Sequence, residues 1–370
     1  MLFESTNSKD SLVLAWLSTV INLSNSRILE ILSVYSSLYE ATRDKFTKIV
    51  SNKKTWLEKY VLKDPLDLEL SKFSRELEDF EVKYVTILDN DFPSKFKILG
   101  SVPVVLYFQG DLSLCSSKEL ITVVGSRMYS SYADLVINRV LNRICDSGIG
   151  VVSGLALGID SLAHKIALEK NAKTIAVVGS GLDSKSFYPK ENSSLKKQIV
   201  ESGGLVLSEY PPKTPANVYN FPRRNRLLAA LTEITWVVQA SRKSGSLITA
   251  SIAQDLGKTV ATTPGSILEN SLSGNLLLLK SGASIITEPE DVFDLMGLKV
   301  HPEISITKHL EFNSPQEKEV YTKLMLSPQV VESVAELAKL QTIEVMRHLS
   351  MLELIGLARN LGNNEWVRVE

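Results

Sequence analysis

Nine short runs rich in Val and Ile, at 84–88, 104–108, 121–126, 150–154, 174–180, 204–210, 233–240, 259–265 and 283–287, alternate with helical periodicity at 129–147, 159–170, 192–202 and 246–256. Strands apolar on both faces belong in a parallel sheet covered by helices on either side. Repeated strand–helix–strand units with right-handed crossovers give a doubly wound α/β sheet. At 370 residues the chain exceeds what one compact core usually holds, so two or three domains are expected. Ahead of the sheet, Leu12, Ala15, Trp16 and Thr19, then Ile28, Ile31, Leu32 and Tyr35, recur at helical spacing. Ser11 and Ser26 stand where N-caps would. Behind the sheet, a polar stretch with Pro302 and Pro315 leads into three helical patterns and a hairpin turning at Gly362-Asn363-Asn364, the order of a winged helix. The boundaries expected are 1–78 for the helical domain, 79–298 for the sheet domain, 299–314 for a linker and 315–370 for the winged helix.

Composition removes several functions. Lys and Arg total 41 against 42 Asp and Glu, a net charge of −1, so any nucleic-acid surface must be a local patch. Two cysteines, Cys115 and Cys145, and four histidines show no CxxC or HxxxH spacing, which leaves neither a disulfide framework nor a zinc site. No apolar run approaches the ~18–20 residues that span a bilayer. The start of the chain, with Glu4, Lys9 and Asp10, lacks the basic and apolar regions of a secretory signal. A cytoplasmic protein without a membrane segment or cofactor is expected.

Glycines and serines collect at the carboxyl ends of the expected strands: Gly125-Ser126-Arg127, Ser153-Gly154, Gly179-Ser180-Gly181 and Pro264-Gly265. In an open parallel sheet these ends share the edge where ligands bind. Glycine there either makes the strand-to-helix turn or lets backbone amides approach a phosphate; four such loops, one carrying Arg127, favour an anion site. Nucleotide fingerprints are incomplete. Ile252 stands where a P-loop ending at Gly257-Lys258-Thr259 needs glycine, and Ser184 replaces the third glycine of GxGxxG. No Ser-His-Asp order or paired carboxylates stand out. His164 follows Asp160 by one helical turn, which reads as a hydrogen bond on a helix surface or between domains. Between Lys185 and Lys243 ten basic residues face four acidic ones. Several adjoin aromatic rings, as in Phe187-Tyr188-Pro189-Lys190 and the run from Tyr219 to Arg226. Such a pattern suits a solvated basic face or single-stranded nucleic acid, which follows cationic grooves with its bases on aromatic rings.

Gly125-Ser126-Arg127 and the stretches 153–164 (SGLALGIDSLAH), 179–183 (GSGLD), 188–192 (YPKEN), 207–212 (LSEYPP), 221–226 (FPRRNR), 244–251 (SGSLITAS) and 263–265 (TPG) come in this order. Together they strongly resemble the DNA-processing protein A (DprA/Smf) family over roughly 89–287. The resemblance implies an extended Rossmann-like domain between an N-terminal helical, SAM-like domain and a C-terminal winged helix. It implies a dimeric protein, not an enzyme, that binds and protects single-stranded DNA and helps load the RecA recombinase in natural transformation. Arg127 and Lys190 fall on the family's DNA-contacting arginine and lysine. Backbone around Gly125, Ser126, Ser153, Gly154, Gly179, Ser180 and Gly181 is implied to hold phosphates, with Lys243 adding charge. Arg224 and Arg226 either touch DNA or brace the pocket. The chain departs from the pattern at Gln239-Ala240, where the family has an acidic residue. It departs also in a longer spacing from Gly181 to Tyr188, and at Ser273-Gly274-Asn275, near a usual Gly-rich loop.

The other reading is a nucleotide-processing hydrolase similar to the phosphoribohydrolases. That chemistry needs a PGGxGT loop and an adjacent acid, and Pro264-Gly265-Ser266 has no second glycine. The dimer expectation has weak support from the apolar run Leu276–Leu279. From His301 to Glu370 seven basic residues face ten acidic ones, so the tail is expected to be dispensable for DNA binding.

Overall fold

The computed structural model describes residues 8–20, 25–45, 65–298, 312–325 and 328–369. Residues 1–7, the stretch 46–64 and most of the expected linker lie outside the described residues. Two compact units, Met1–Lys299 and Val300–Glu370, divide the chain.

The first unit opens with helices α1 (Ser8–Val20), α2 (Asn25–Leu32), α3 (Leu38–Arg43) and α4 (Leu66–Asp79). Ser11 does not cap a helix. It lies inside α1 with its hydroxyl buried, donating to Asp89 Oδ2 at 2.7 Å, while Asp89 also accepts from the Thr86 amide and hydroxyl. Ser26 likewise lies within α2. Trp16 and Leu17 share an apolar cluster with Leu106 and Tyr107 of the sheet, and Tyr107 donates its hydroxyl to the Ala15 carbonyl at 2.8 Å.

One strand falls on each of the nine Val/Ile runs: β1 (Lys83–Thr86), β2 (Val105–Gly110), β3 (Leu120–Val124), β4 (Gly150–Ser153), β5 (Thr174–Val178), β6 (Leu205–Ser208), β7 (Ile234–Val237), β8 (Thr259–Thr262) and β9 (Ser284–Ile285). They form one sheet in the order β1-β2-β6-β5-β4-β3-β7-β8-β9. Every pair from β6 to β9 is parallel. β1 and β2 depart from the expected parallel sheet, since β1–β2 and β2–β6 are antiparallel. Only a 3-10 turn, Ser94–Ile98, lies between β1 and β2, and without a crossover helix the chain returns alongside itself.

Helices α5 (Ser131–Asp146), α6 (Ile159–Glu169) and α7 (Ser193–Glu201) connect β3 outward to β6 and pack in succession. The chain then crosses back through α8 (Asn220–Leu231), which packs on α9 (Ser246–Asp255), to place β7 beside β3. The direction of winding reverses between β3 and β7, so the crevice above β3 is the topological switch point. Helices α10 (Ser273–Lys280) and α11 (Pro289–Met296) complete the unit.

Periodicity does not reveal α8, whose first turn carries Pro222 and a basic run. Proline is tolerated there because its missing N–H would have no helical partner. The end of α8 is held from outside. Lys258 Nζ donates to the carbonyls of Ala230 at 2.7 Å and Thr232 at 2.8 Å, and Lys95 Nζ to that of Leu231 at 2.7 Å.

His164 lies fully buried in α6, not on a helix surface or between domains, and its Nδ1 is 2.7 Å from Thr174 Oγ1. Burial, and then the Arg224 charge, push its pKa down to about 3. The unfolded chain therefore takes up the proton first, so this group's contribution to stability is lost as pH falls below ~6.5. The wild type is expected to lose about 2 kcal/mol more than His164→Gln between pH 6.5 and 5, measured by urea melts. The neighbouring Asp160 carboxyl, raised by burial, is common to both proteins and cancels in the difference. Equal losses would contradict a neutral buried imidazole.

The second unit comprises α12 (Pro315–Lys323), β10 (Gln329–Val330), α13 (Val331–Ala338), α14 (Thr342–Leu354), β11 (Ala358–Gly362) and β12 (Glu365–Arg368), with sheet order β10-β12-β11. Asn363 and Asn364 both have positive φ, 50° and 62°, as the tight turn of a two-residue hairpin demands. Val320, Val334, Leu349, Leu352 and Trp366 form its core.

Candidate nucleic-acid interface

At the carboxyl edge above β3, β4 and β5 a pocket is lined by Arg127, Gly154, Ala156, Leu157, Gly179, Tyr188, Pro189, Phe221 and Arg224. The loop after β3 supplies Arg127, whose guanidinium lies 5.9 Å from the centre of the Phe221 ring. Tyr188 stands beside Phe221, ring centres 5.9 Å apart. Arg127 and Tyr188 are exposed, whereas Arg224 forms the floor and is buried.

Arg224 Nη1 donates to the carbonyls of Gly154, at 2.7 Å, and Val177. It thereby ties the loop after β4 to the end of β5. Burial lowers the Arg224 pKa to about 10; the Asp160 carboxylate opposes this shift, and the charge of Arg127 adds to it. Asp160 in turn accepts from the Gly154 amide at 3.1 Å. Gly154 has no room for a side chain: a Cβ there would lie 2.5 Å from Arg224 Nη1 and 2.6 Å from Asp160 Oδ2. Gly158 has φ +84°, and its Cβ would lie 2.3 Å from the Ser126 carbonyl oxygen. The Arg127 loop therefore rests directly on the start of α6.

Part of the expected phosphate-holding backbone is engaged within the protein. The Ser126 amide donates to the Gln239 carbonyl at 2.8 Å, and the Gly181 amide to that of Thr214 at 2.9 Å. Ser153 Oγ donates to the Val123 carbonyl at 2.6 Å. Ser180 is fully buried, with its hydroxyl 3.2 Å from the Gly181 carbonyl. Gly125 packs against Ile159 so closely that a Cβ would lie 2.8 Å from that side chain. Of the twelve residues named from the sequence as contacts, the pocket brings together Arg127, Gly154, Gly179 and Arg224.

The cations expected around it divide in the same way. Arg226 forms a mostly buried ion pair with Glu209 at 2.6 Å, which braces α8 against the end of β6. Lys190 is exposed, but its Nζ donates to the carbonyls of Ser184 at 2.6 Å and Lys185 at 2.8 Å, outside the pocket lining. Lys213 pairs with Glu76 at 2.5 Å. Lys196 is held by the Leu182 carbonyl, and burial lowers its pKa to about 8. Lys243 is exposed in the loop before α9, also outside the lining. Counting charges along the chain therefore overstates the free positive patch.

The departures from the family pattern are structural ties. Gln239 accepts from the Ser130 amide at 2.9 Å and donates to its hydroxyl at 3.0 Å, while its carbonyl holds Ser126. It thus fixes both ends of the Arg127 loop. Asn275 donates to the carbonyls of Val238 and Thr263 and accepts from the Ala240 amide at 2.7 Å. In the longer loop before Tyr188, Asp183 accepts from the amides of Lys185, Ser186 and Lys213; burial raises its carboxyl pKa, but these bonds outweigh it and leave the pKa below the usual value. Asn192 fixes the loop after β4 through the carbonyls of Leu155 and Ala156.

Comparison with known proteins matches residues 83–297 to the model of the DNA recombination-mediator protein A family. The chain belongs to this family. Among its relatives, Protein Smf of Escherichia coli is 36% identical over 283 residues, covering 72% of this chain and 73% of the relative. The DNA processing protein DprA of Streptococcus pneumoniae is 38% identical over 241 residues, covering 65% and 81%. Among solved structures, that of the Streptococcus pneumoniae protein has a TM-score of 0.56 at 30% identity and covers 71% of this chain and 98% of that one. DNA processing protein A of Helicobacter pylori, solved for its single-stranded DNA binding mode, has a TM-score of 0.52 at 31% identity and covers 58% and 95%. The family match spans the whole sheet from β1 to β9 and the pocket with it.

Ala156, Leu157 and Pro189 also line the pocket; they lie in the motifs 153–164 and 188–192 but are not among the contacts expected from the sequence. Phe221 and Tyr188 open the motifs 221–226 and 188–192 and stand beside cations, but they are not among the contacts expected from the sequence. Val218 and Tyr219 are exposed on the loop leading into α8.

Proposed function

We propose that this chain is a single-stranded DNA-binding protein that protects incoming DNA and helps load the RecA recombinase onto it. It acts as a cytoplasmic homodimer and catalyses no reaction. The observation that carries this reading is the convergence of two guanidinium groups, Arg127 and Arg224, on one pocket walled by Tyr188 and Phe221. Cations beside the exposed Tyr188 ring and the half-buried Phe221 ring suit a phosphate and its unstacked base. The relative from Helicobacter pylori, with its single-stranded DNA binding mode, supports it. In this reading Arg127 grips a phosphate, the backbone at Gly154 and Gly179 gives the strand close approach, and Lys190 and Lys243 attract it from the rim. Arg224 and Arg226 hold the pocket in shape. Exposed Leu277 and Ile285 support a dimer interface at the β9 end of the sheet. No helix among the described residues is long and apolar enough to cross a membrane.

The domain reading is part of the same proposal: a SAM-like helical domain over 1–78, a Rossmann-like domain over 79–298, a linker, and a winged helix over 315–370. The three helices and antiparallel three-stranded sheet of the second unit support the last of these.

Fluorescence anisotropy with labelled oligothymidylate over a salt series tests the function. Three bound phosphates, at about −0.7 in log–log slope each, give a roughly 20-fold loss of affinity from 50 to 200 mM salt. Binding that ignores salt would refute a phosphate-gripping site. Removing 299–370 is expected to leave this affinity within about tenfold, since the acidic tail offers phosphate little long-range attraction. A larger loss in a folded truncated chain would assign DNA contact to the tail. The hydrolase reading requires release of base from AMP. It is not favoured, because among the described residues no carboxylate lines the pocket.

A further inference from the structure

We propose that the exposed face of α14 is a docking surface for an apolar helix of another protein whose flanks are basic. α14 turns Val345, His348, Leu349 and Leu352 inward. Its other side presents Ile343, Met346, Met351 and Leu354, continued by Ile355. Ile343 and Leu354 are 75% and 80% exposed. Successive residues turn by about 100° along a helix, so Ile343, Met346, Arg347, Ser350, Met351 and Leu354 fall in one band, four of the six apolar. The band runs three turns, about 16 Å. Single exposed apolar residues are ordinary, but a contiguous stripe of this kind marks an interaction site. The spacing i, i+3, i+8, i+11 is that of helix-on-helix anchoring, and methionines give such a surface room to adapt.

Charge selects the occupant. Glu344 borders the band on one side and Glu353 on the other, both exposed. Acids along both edges favour a helix with Lys or Arg beside its apolar stripe. Nucleic acid fits poorly, because Arg347 is the one cation in the band and the bordering acids repel phosphate. A second copy fits poorly too. A two-fold interface sets its central residue against itself, and Arg347 sits near the middle of the band, so two guanidinium groups would meet. An acid on the partner opposite Arg347 would complete the match.

The test uses the full-length protein and a fluorescein-labelled peptide of about 18 residues, long enough to form a helix, built from Leu at helical spacing and Lys elsewhere. Its counterpart carries Glu in place of Lys. The Leu/Lys peptide is expected to bind about tenfold more tightly than the Leu/Glu peptide. The double variants Ile343→Asp/Leu354→Asp and Ile343→Ser/Leu354→Ser are expected to weaken it by about tenfold or more with unchanged melting, as for loss of central anchors. The milder pair keeps the test decisive if the aspartates unfold the unit. Peptide binding that survives in both folded variants, or equal binding of the two peptides, overturns the proposal. So does sedimentation showing a wild-type oligomer that the variants dissociate, which would give the face to a second copy, or loss of DNA affinity in the variants, which would give it to DNA.

Discussion

Arg224→Met is expected to destabilise the first unit by about 3–5 kcal/mol, the range for removing one member of a buried charged pair. The guanidinium is buried, and without it the carbonyls of Gly154 and Val177 lose their donor and the buried Asp160 carboxylate loses its counter-charge. Methionine fills similar space but supplies none of these contacts. Arg224→Lys keeps a charge yet lacks the planar fork that bonds two carbonyls at once, so it is expected to fall between methionine and wild type. Urea denaturation in the absence of DNA measures both. A methionine variant as stable as wild type would mean that Arg224 is held in reserve for a ligand and does not hold the loops together.

Arg127→Ala is expected to have the opposite profile. The side chain is exposed on a loop, with its guanidinium over the face of Phe221, so stability should stay within about 0.5 kcal/mol of wild type. With the phosphate grip proposed for Arg127, its loss is expected to cost about 1.5–3 kcal/mol, the range for a charge-assisted hydrogen bond, or roughly 10- to 150-fold in affinity for oligothymidylate. The two arginines lie in one pocket and share one charge type. One variant should fail in stability without DNA and the other only in binding. Reversed outcomes would exchange their roles.

The sheet was legible because buried strands must be apolar on both faces, so each Val/Ile run from 84–88 to 283–287 marks its strand. The antiparallel start was not, since the apolar composition of β1 and β2 does not encode direction. The site was legible as an edge and as motifs, but less so as contacts. Ser126, Ser153, Gly181 and Arg226 sit in those motifs, yet their polar groups meet Gln239, Val123, Thr214 and Glu209, residues 17 to 113 positions away in the chain. No local pattern announces such pairings. Glycine is ambiguous for the same reason. Gly154 reads as an opening for phosphate, whereas the structure shows that it makes room for Arg224 and Asp160.

The most direct measurement is competition between a labelled oligothymidylate and unlabelled single-stranded or duplex DNA of equal length, at one salt concentration. The pocket offers one buried cation, one exposed arginine and two rings, a set that in the proposed reading would take a splayed nucleotide and would not reach bases stacked in a duplex. The expected result is displacement by the single strand at concentrations at least about tenfold lower than by the duplex, with the difference lost in Arg127→Ala. Equal competition by the two forms would contradict the account.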